Sequence, residues 1–206
     1  MMYRFLKILA ILFLIVVVFS LSSWFFFPWE KAGEYALNMA DDRASSSGAA
    51  LSWQEVDSRG SLDPVIHVRG LEVRTFAGVV SIPELVVRPL PARSLAVMGP
   101  AFDVEYSRGI FSFTLGGLSP AYETEGSFTV QIRGNTFDLE DVAVDGDLSA
   151  RGDLSLDRNS RRLTVADLVL EVPENMEDIL YSTSSFLPLR KMETGQWRLL
   201  TGSDEQ

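Results

Sequence analysis

The sequence predicts a mainly β protein: a single N-terminal transmembrane helix, then an antiparallel β-sheet domain with short helices near residues 30–41 and 175–187. Three observations predict it. Ile8 to Phe27 is a run of twenty uncharged residues, the length of helix that crosses a hydrocarbon core of roughly 30 Å. From Ala49 onward apolar and polar residues alternate with period two, the pattern of a sheet with one buried face. Turn-forming residues recur at intervals of about 8–12 residues. That spacing suits a meander, a sandwich or a half-open barrel.

The apolar run begins after Arg4 and Lys7 and ends among Trp24, Phe27 and Trp29. Ser20 and Ser22 have the small-residue spacing of a signal-peptide cleavage site. The run, however, is longer than an ordinary signal core and continues through Trp24-Phe25-Phe26-Phe27. Aromatic residues at the end of a span suit the membrane interface, so a retained anchor is expected. Its site residues are Arg4, Lys7, Ile8, Trp24, Phe27 and Trp29. The positive-inside rule places the N-terminus in the cytoplasm, with residues 30–206 across a bacterial inner membrane in the periplasm. The expected division is 1–29, cytoplasmic stub and anchor, and 30–206, a periplasmic β domain.

Charge and composition exclude several function classes. The formal net charge is −10; residues 1–29 hold Arg4 and Lys7 and no acid, so residues 30–206 carry −12. An acidic domain gains nothing from counterion release on nucleic acid, and it is a poor electrostatic match for anionic lipid. There is no Cys, which removes disulfides, a lipidated N-terminus and thiolate metal sites.

Along the domain, Ala32, Tyr35, Ala36 and Met39 fall at helical spacing from Trp29 to about Asp41. Asp41 to Gly48 reads as a polar loop. Phe102, Val104 and Tyr106 alternate with Asp103 and Glu105. Phe111, Phe113 and Leu115 alternate with Ser112 and Thr114, and Phe128, Val130 and Ile132 with Thr129, Gln131 and Arg133. Leu148 to Leu156 repeats the pattern. Turns are expected at Arg69-Gly70, Ala77-Gly78, Ser107-Arg108-Gly109, Gly134-Asn135, Asp145-Gly146 and Asp157 to Ser160. Apolar parity shifts between Leu139 and Val142, and again between Val165 and Leu168, where a bulge or a strand junction is expected. Pro173 ends the sheet. Met176, Ile179, Leu180, Thr183, Phe186 and Leu187 continue at helical spacing to Pro188. Gln196 to Leu200 is a last strand, and Thr201 to Gln206 a tail.

No constellation of residues argues for an enzyme, and no cofactor is expected. His67 is the only histidine and stands in a strand-like run. Asp138, Glu140, Asp141, Asp145, Asp147, Asp153 and Asp157 form an acidic tract without the ligand spacing of a calcium loop. No nucleophile elbow, phosphate loop or nucleotide fingerprint is present. The remaining feature is a set of apolar strand positions: Phe102, Val104, Phe111, Phe113, Phe128, Val130 and Ile132. They form either an ordinary packed core or a trough open to an acyl chain or a partner strand.

The order of features resembles a known family. It comprises the anchor, Pro28-Trp29, a short helix, Gly48 to Trp53, Leu71-Glu72-Val73, Ile82 to Pro89, Arg93-Ser94-Leu95 and the glycine-spaced run Val144 to Leu154. Together they resemble the type II secretion system N protein (general secretion pathway protein N) and, more distantly, AsmA-like periplasmic proteins. The resemblance implies a non-enzymatic inner-membrane protein with a periplasmic β domain, whose partners are other secretion or envelope proteins. It offers no catalytic residues. The alternative is a lipid-binding or lipid-transfer protein, AsmA-like or LptC-like, holding lipid in an apolar β trough.

Overall fold

The computed structural model describes residues 11–201 except 12, 17, 20, 21, 47, 61, 62, 77, 114–119, 161 and 184–187. Eleven antiparallel strands form one sheet: β1 (Ala50–Ser52), β2 (Glu55–Arg59), β3 (Val65–Thr75), β4 (Gly78–Pro89), β5 (Ala101–Phe113), β6 (Ala121–Arg133), β7 (Thr136–Gly146), β8 (Ser149–Asp157), β9 (Arg162–Glu171), β10 (Leu189–Glu193) and β11 (Gln196–Thr201). Their order is β1-β3-β4-β5-β6-β7-β8-β9-β11-β10, with β2 beside β1 on the free edge of β3. From β3 to β9 it is a meander. Among the described residues from Trp29 onward, three helices accompany the sheet: α1 (Trp29–Ser46), α2 (Pro91–Val97) and α3 (Glu174–Thr183).

Two lines of irregularity cross the sheet. Gly70 (φ 61°) and Pro83 fall between the pairs Arg69↔Glu84 and Leu71↔Ile82. Arg108 (φ 56°) bulges from β5 between Tyr106 and Gly109. These positions follow one another across β3, β4 and β5. Farther on, Asp141 (φ 55°) bulges from β7 opposite Asp153, beside Gly152 (φ 134°) of β8, and the β8–β9 register shifts at Thr164. Each bulge swaps the faces of the residues beyond it and sharpens the local twist. In β3 the positive-φ kink at Gly70, without any shift of register, keeps Ile66, Val68, Leu71 and Val73 on one face.

Several expectations are corrected here. Arg69-Gly70 and Ser107-Arg108-Gly109 are not turns: Gly70 is a positive-φ kink in unshifted register, and Ser107-Arg108 is a bulge, both inside long strands. A glycine tolerates positive φ, so the same residue serves either purpose. The parity change in β9 falls at Thr164, before the expected Val165–Leu168 interval. The helix expected at 30–41 runs from Trp29 to Ser46, through the segment expected to be a polar loop. Asp41 accepts the Leu51 amide at 3.1 Å, Ser46 caps back on the Arg43 carbonyl at 2.6 Å, and Gly48 at φ 80° follows the end. The second helix spans Glu174–Thr183; the expected extension to 187 lies outside the described residues, as does Leu115. Helix α2 and strand β10 were not expected. The bulge between Leu139 and Val142 stands where parity placed it.

Among the described residues, no helix is long and apolar enough to cross a membrane. Arg4, Lys7 and Ile8 lie outside those residues. The described residues from 11 to 25 are helical, and Ile11, Phe13, Leu14, Ile15, Val16, Val18 and Phe19 are each more than half exposed.

Candidate functional site

The register gathers the apolar strand positions onto one face. Phe102 stands opposite Val130, Val104 opposite Phe128, and Phe111 opposite Tyr122. Ile132 stands opposite Phe137, which stands opposite Leu156. Phe113 pairs with Gly78 through its backbone. Leu139, Val142, Val144, Leu154, Leu168, Leu170, Trp197 and Leu199 continue the same face across β7, β8, β9 and β11.

Cover on this face is uneven. At one end α1 lies on it: Val56, Ile66, Val68 and Leu71 are buried, with Trp29, Leu37, Leu51, Trp53, Ile82, Leu85 and Val87 packed around them. Gly33 allows this approach, since a Cβ there would stand 3.1 Å from Val56 and 3.2 Å from Ile66. Next to this end the sheet covers itself. The Tyr106 ring fills the space where Gly109 and Gly126 lack side chains, and its hydroxyl lies 3.2 Å from that of Thr124. Burial pushes the Tyr106 phenol above its ordinary pKa, partly offset by that hydrogen bond. At the far end Trp197 is 1% exposed, and Tyr181 of α3 meets its ring edge-on at 6.2 Å. Glu177 of α3 accepts Lys191 Nζ at 2.6 Å and the Gly195 amide. These bonds hold its carboxyl below the ordinary pKa, the Lys191 bond contributing most.

Between those ends, no described helix packs on this face of β6–β8. Phe128, Val130, Ile132, Phe137, Leu139, Val142, Val144, Leu154 and Leu156 are all only half-buried. Phe137 and Leu156 floor an open recess of about 680 Å³, rimmed by Arg43, Asn135, Arg158 and Asn159. Such a face can take up apolar chain or a partner's side chains, and the polar rim can bind the end of either.

The opposite face is polar and organised around α2. Asp138, its side chain 4% exposed, accepts Arg133 Nε at 2.8 Å and Ser155 Oγ at 2.6 Å. Gln131 donates to Glu140 at 2.8 Å, and Arg93 of α2 pairs with the same carboxylate. The Asp138 hydrogen bond and charge raise the Arg133 pKa. Donors and carboxylates match here, so the cluster fastens α2 to β6 and β7.

The other candidate residues have local partners. His67 Nδ1 lies 3.2 Å from Glu84 on the neighbouring strand. In the acidic tract, Asp145 pairs with Arg151 at 2.7 Å, Asp147 accepts the Glu123 amide, Asp153 accepts the Asp141 amide, and Asp157 accepts the Asn159 and Ser160 amides. No group of acids or histidines suited to a metal ion occurs among the described residues. Trp24 meets the Trp29 ring edge-on and Phe27 meets it at a tilt, with ring centroids 4.7 and 4.5 Å away. The covering role of α1 and the inverted placement of α2 escaped sequence reasoning; Gly33 and the spacing Ala92, Leu95, Ala96 were the available signals.

Fold and site define a single-sheet β protein with one half-covered apolar face. The family model described as type II secretion system protein GspN-like, Synergistales, matches residues 6–201, and the chain belongs to that family. The match covers the secretion part of the expected resemblance and not the AsmA-like part. No curated protein and no solved structure matches the chain.

Proposed function

We propose that this chain is a non-enzymatic subunit of a type II-like secretion apparatus, anchored by 8–27 in a bacterial inner membrane with residues 30–206 in the periplasm. It acts through contacts that its sheet makes with other secretion proteins. The family match over residues 6–201 carries this reading. The exposed apolar side chains between Ile11 and Phe19 support the anchor, because a contiguous apolar surface of this kind calls for cover by lipid or protein. The sheet edges at β1, β2 and β10 offer backbone groups for strand addition. The test is cross-linking in intact cells followed by purification of the full chain from detergent-solubilised membranes. Secretion components should co-purify, and the chain should resist alkaline extraction. Recovery without any secretion component would overturn the role, and release at alkaline pH would overturn the anchor.

One observation favours a second reading, a lipid-binding trough: the half-buried stripe from Phe128 to Leu156 that no described helix covers. A native mass spectrum of the full chain released from detergent should then show retained lipid, lost in Val142→Glu. A spectrum free of lipid would remove this reading.

A further inference from the structure

Helix α2 is built inside out. Its polar residues Arg93 and Ser94 face the sheet: Arg93 pairs with Glu140, and Ser94 Oγ accepts the Ala101 amide at 3.0 Å. Its exposed residues are Pro91, Ala92, Leu95 and Ala96, continued by Met98 and Pro100, and none is charged. Leu95 is 81% and Met98 92% exposed. A helix on the surface of a water-soluble domain ordinarily shows the reverse, apolar stripe inward and charge outward. The inversion is the more pointed in a domain carrying −12.

The position of α2 identifies what covers it. Helix α2 joins the end of β4 to the start of β5. Ile66 stands opposite Val87, and Val87 opposite Val104, so α2 closes the strand ends near which β3 begins. The chain enters the sheet at these same ends: Gly33 approaches Val56 and Ile66, whereas Asp41, later in α1, reaches Leu51 opposite Val73 toward the other end. Phe27, the last residue of the apolar run, is two residues before Trp29, and its ring rests on Trp29. Two residues span at most about 7 Å. The end of the apolar run at Phe27 and the outward side of α2 therefore belong to one end of the molecule, on opposite faces of the sheet.

We propose that the outward side of α2, centred on Leu95 and Met98, is a second membrane contact that rests in the interfacial layer of the bilayer holding the anchor. This inference rests on the anchor reading of residues 8–27. Two separate points of contact would fix the orientation of the sheet above the lipid, where a single helix leaves it free to swivel. The contact is apolar and does not require anionic lipid; an interfacial apolar face sinks about 5–10 Å into the headgroup boundary.

The absence of Cys allows a direct test. Single-cysteine full-length variants Phe19→Cys, Leu95→Cys, Met98→Cys and Phe76→Cys are labelled with an environment-sensitive fluorophore. They are reconstituted in phosphatidylcholine nanodiscs with and without lipid carrying a nitroxide near the headgroup. Phe76, 95% exposed at the β3–β4 turn, is the distal reference. The labels at 19, 95 and 98 should emit to the blue of the label at 76, and those at 95 and 98, near the headgroups, should also lose intensity with the nitroxide lipid. A blue-shifted label at 19, with labels at 95 and 98 behaving like that at 76, overturns this contact alone. A label at 19 that emits like that at 76 overturns the anchor and this inference with it. Both α2 positions are on the surface, so two independent variants guard against misfolding of either.

Discussion

Arg133 and Asp138 meet across the β6–β7 hairpin at 2.8 Å, the carboxylate 4% exposed and the guanidinium 49% exposed. The pair is lopsided: water still reaches Arg133, while Asp138 depends on protein donors. Asp138→Ala should destabilise the full chain by about 2 kcal/mol, less than for a fully buried pair because Arg133 can rehydrate. Asp138→Asn should cost about half as much, because it keeps an acceptor for Ser155. Urea denaturation of the detergent-solubilised protein measures both. Equal losses would show that Ser155 contributes nothing.

Gly152 stands at φ 134°, and a Cβ there would overlap the Asp167 carbonyl of β9. Gly152→Ala should cost roughly 3 kcal/mol, combining backbone strain with overpacking. Gly48→Ala is the comparison, at φ 80° with nothing within 4 Å; about 1 kcal/mol is expected there. Thermal melts of the two variants should separate clearly, and coincident melts would refute the bulge geometry at Gly152.

The packing of α1 depends on Gly33. Gly33→Leu should drive the helix from Val56 and Ile66 at a cost of about 1–3 kcal/mol. Hydrogen exchange should rise in residues 29–46 and in β2 while β7 and β8 stay protected. Uniform loss of protection would mean that α1 is integral to the whole sheet.

Tyr106 gives a pH dependence with a defined sign. Its folded pKa is raised, chiefly by burial. The native state therefore holds this proton more tightly than the unfolded chain does. The stability contributed is fully present below the unfolded pKa of about 10 and is lost as pH rises through the folded value. Urea midpoints measured upward from pH 9 or so should fall more steeply in the parent than in Tyr106→Phe. Parallel curves would show that Tyr106 does not titrate with unfolding.

The period of two made the strands legible in the sequence, and the shift between Leu139 and Val142 located a bulge because apolar residues change sides there. Gly70 and Arg108 misled because a positive-φ residue serves a hairpin turn and a kink or bulge inside a strand alike, and only the partner strand distinguishes them. Helix α2 was hidden by its own inversion: with Arg93 and Ser94 turned inward, no ordinary amphipathic stripe marks it. The gathering of Phe102, Val104, Phe128, Val130 and Ile132 on one face follows from alternation. Whether that face is covered depends on where α1 and α3 lie, which no local pattern records.

The meander has a consequence for how the molecule comes into being. From β3 to β9 each strand bonds to the one made just before it, so most pairings close short loops. Little entropy is spent bringing distant segments together, and local topology of this kind favours rapid folding. A chain delivered N-terminus first can zip its sheet hairpin by hairpin, leaving only the latest strand edge unpaired. The exception is the far edge: β9 must wait for β11, and Trp197 can seal the end of the apolar face only once α3 and β10 have also been delivered.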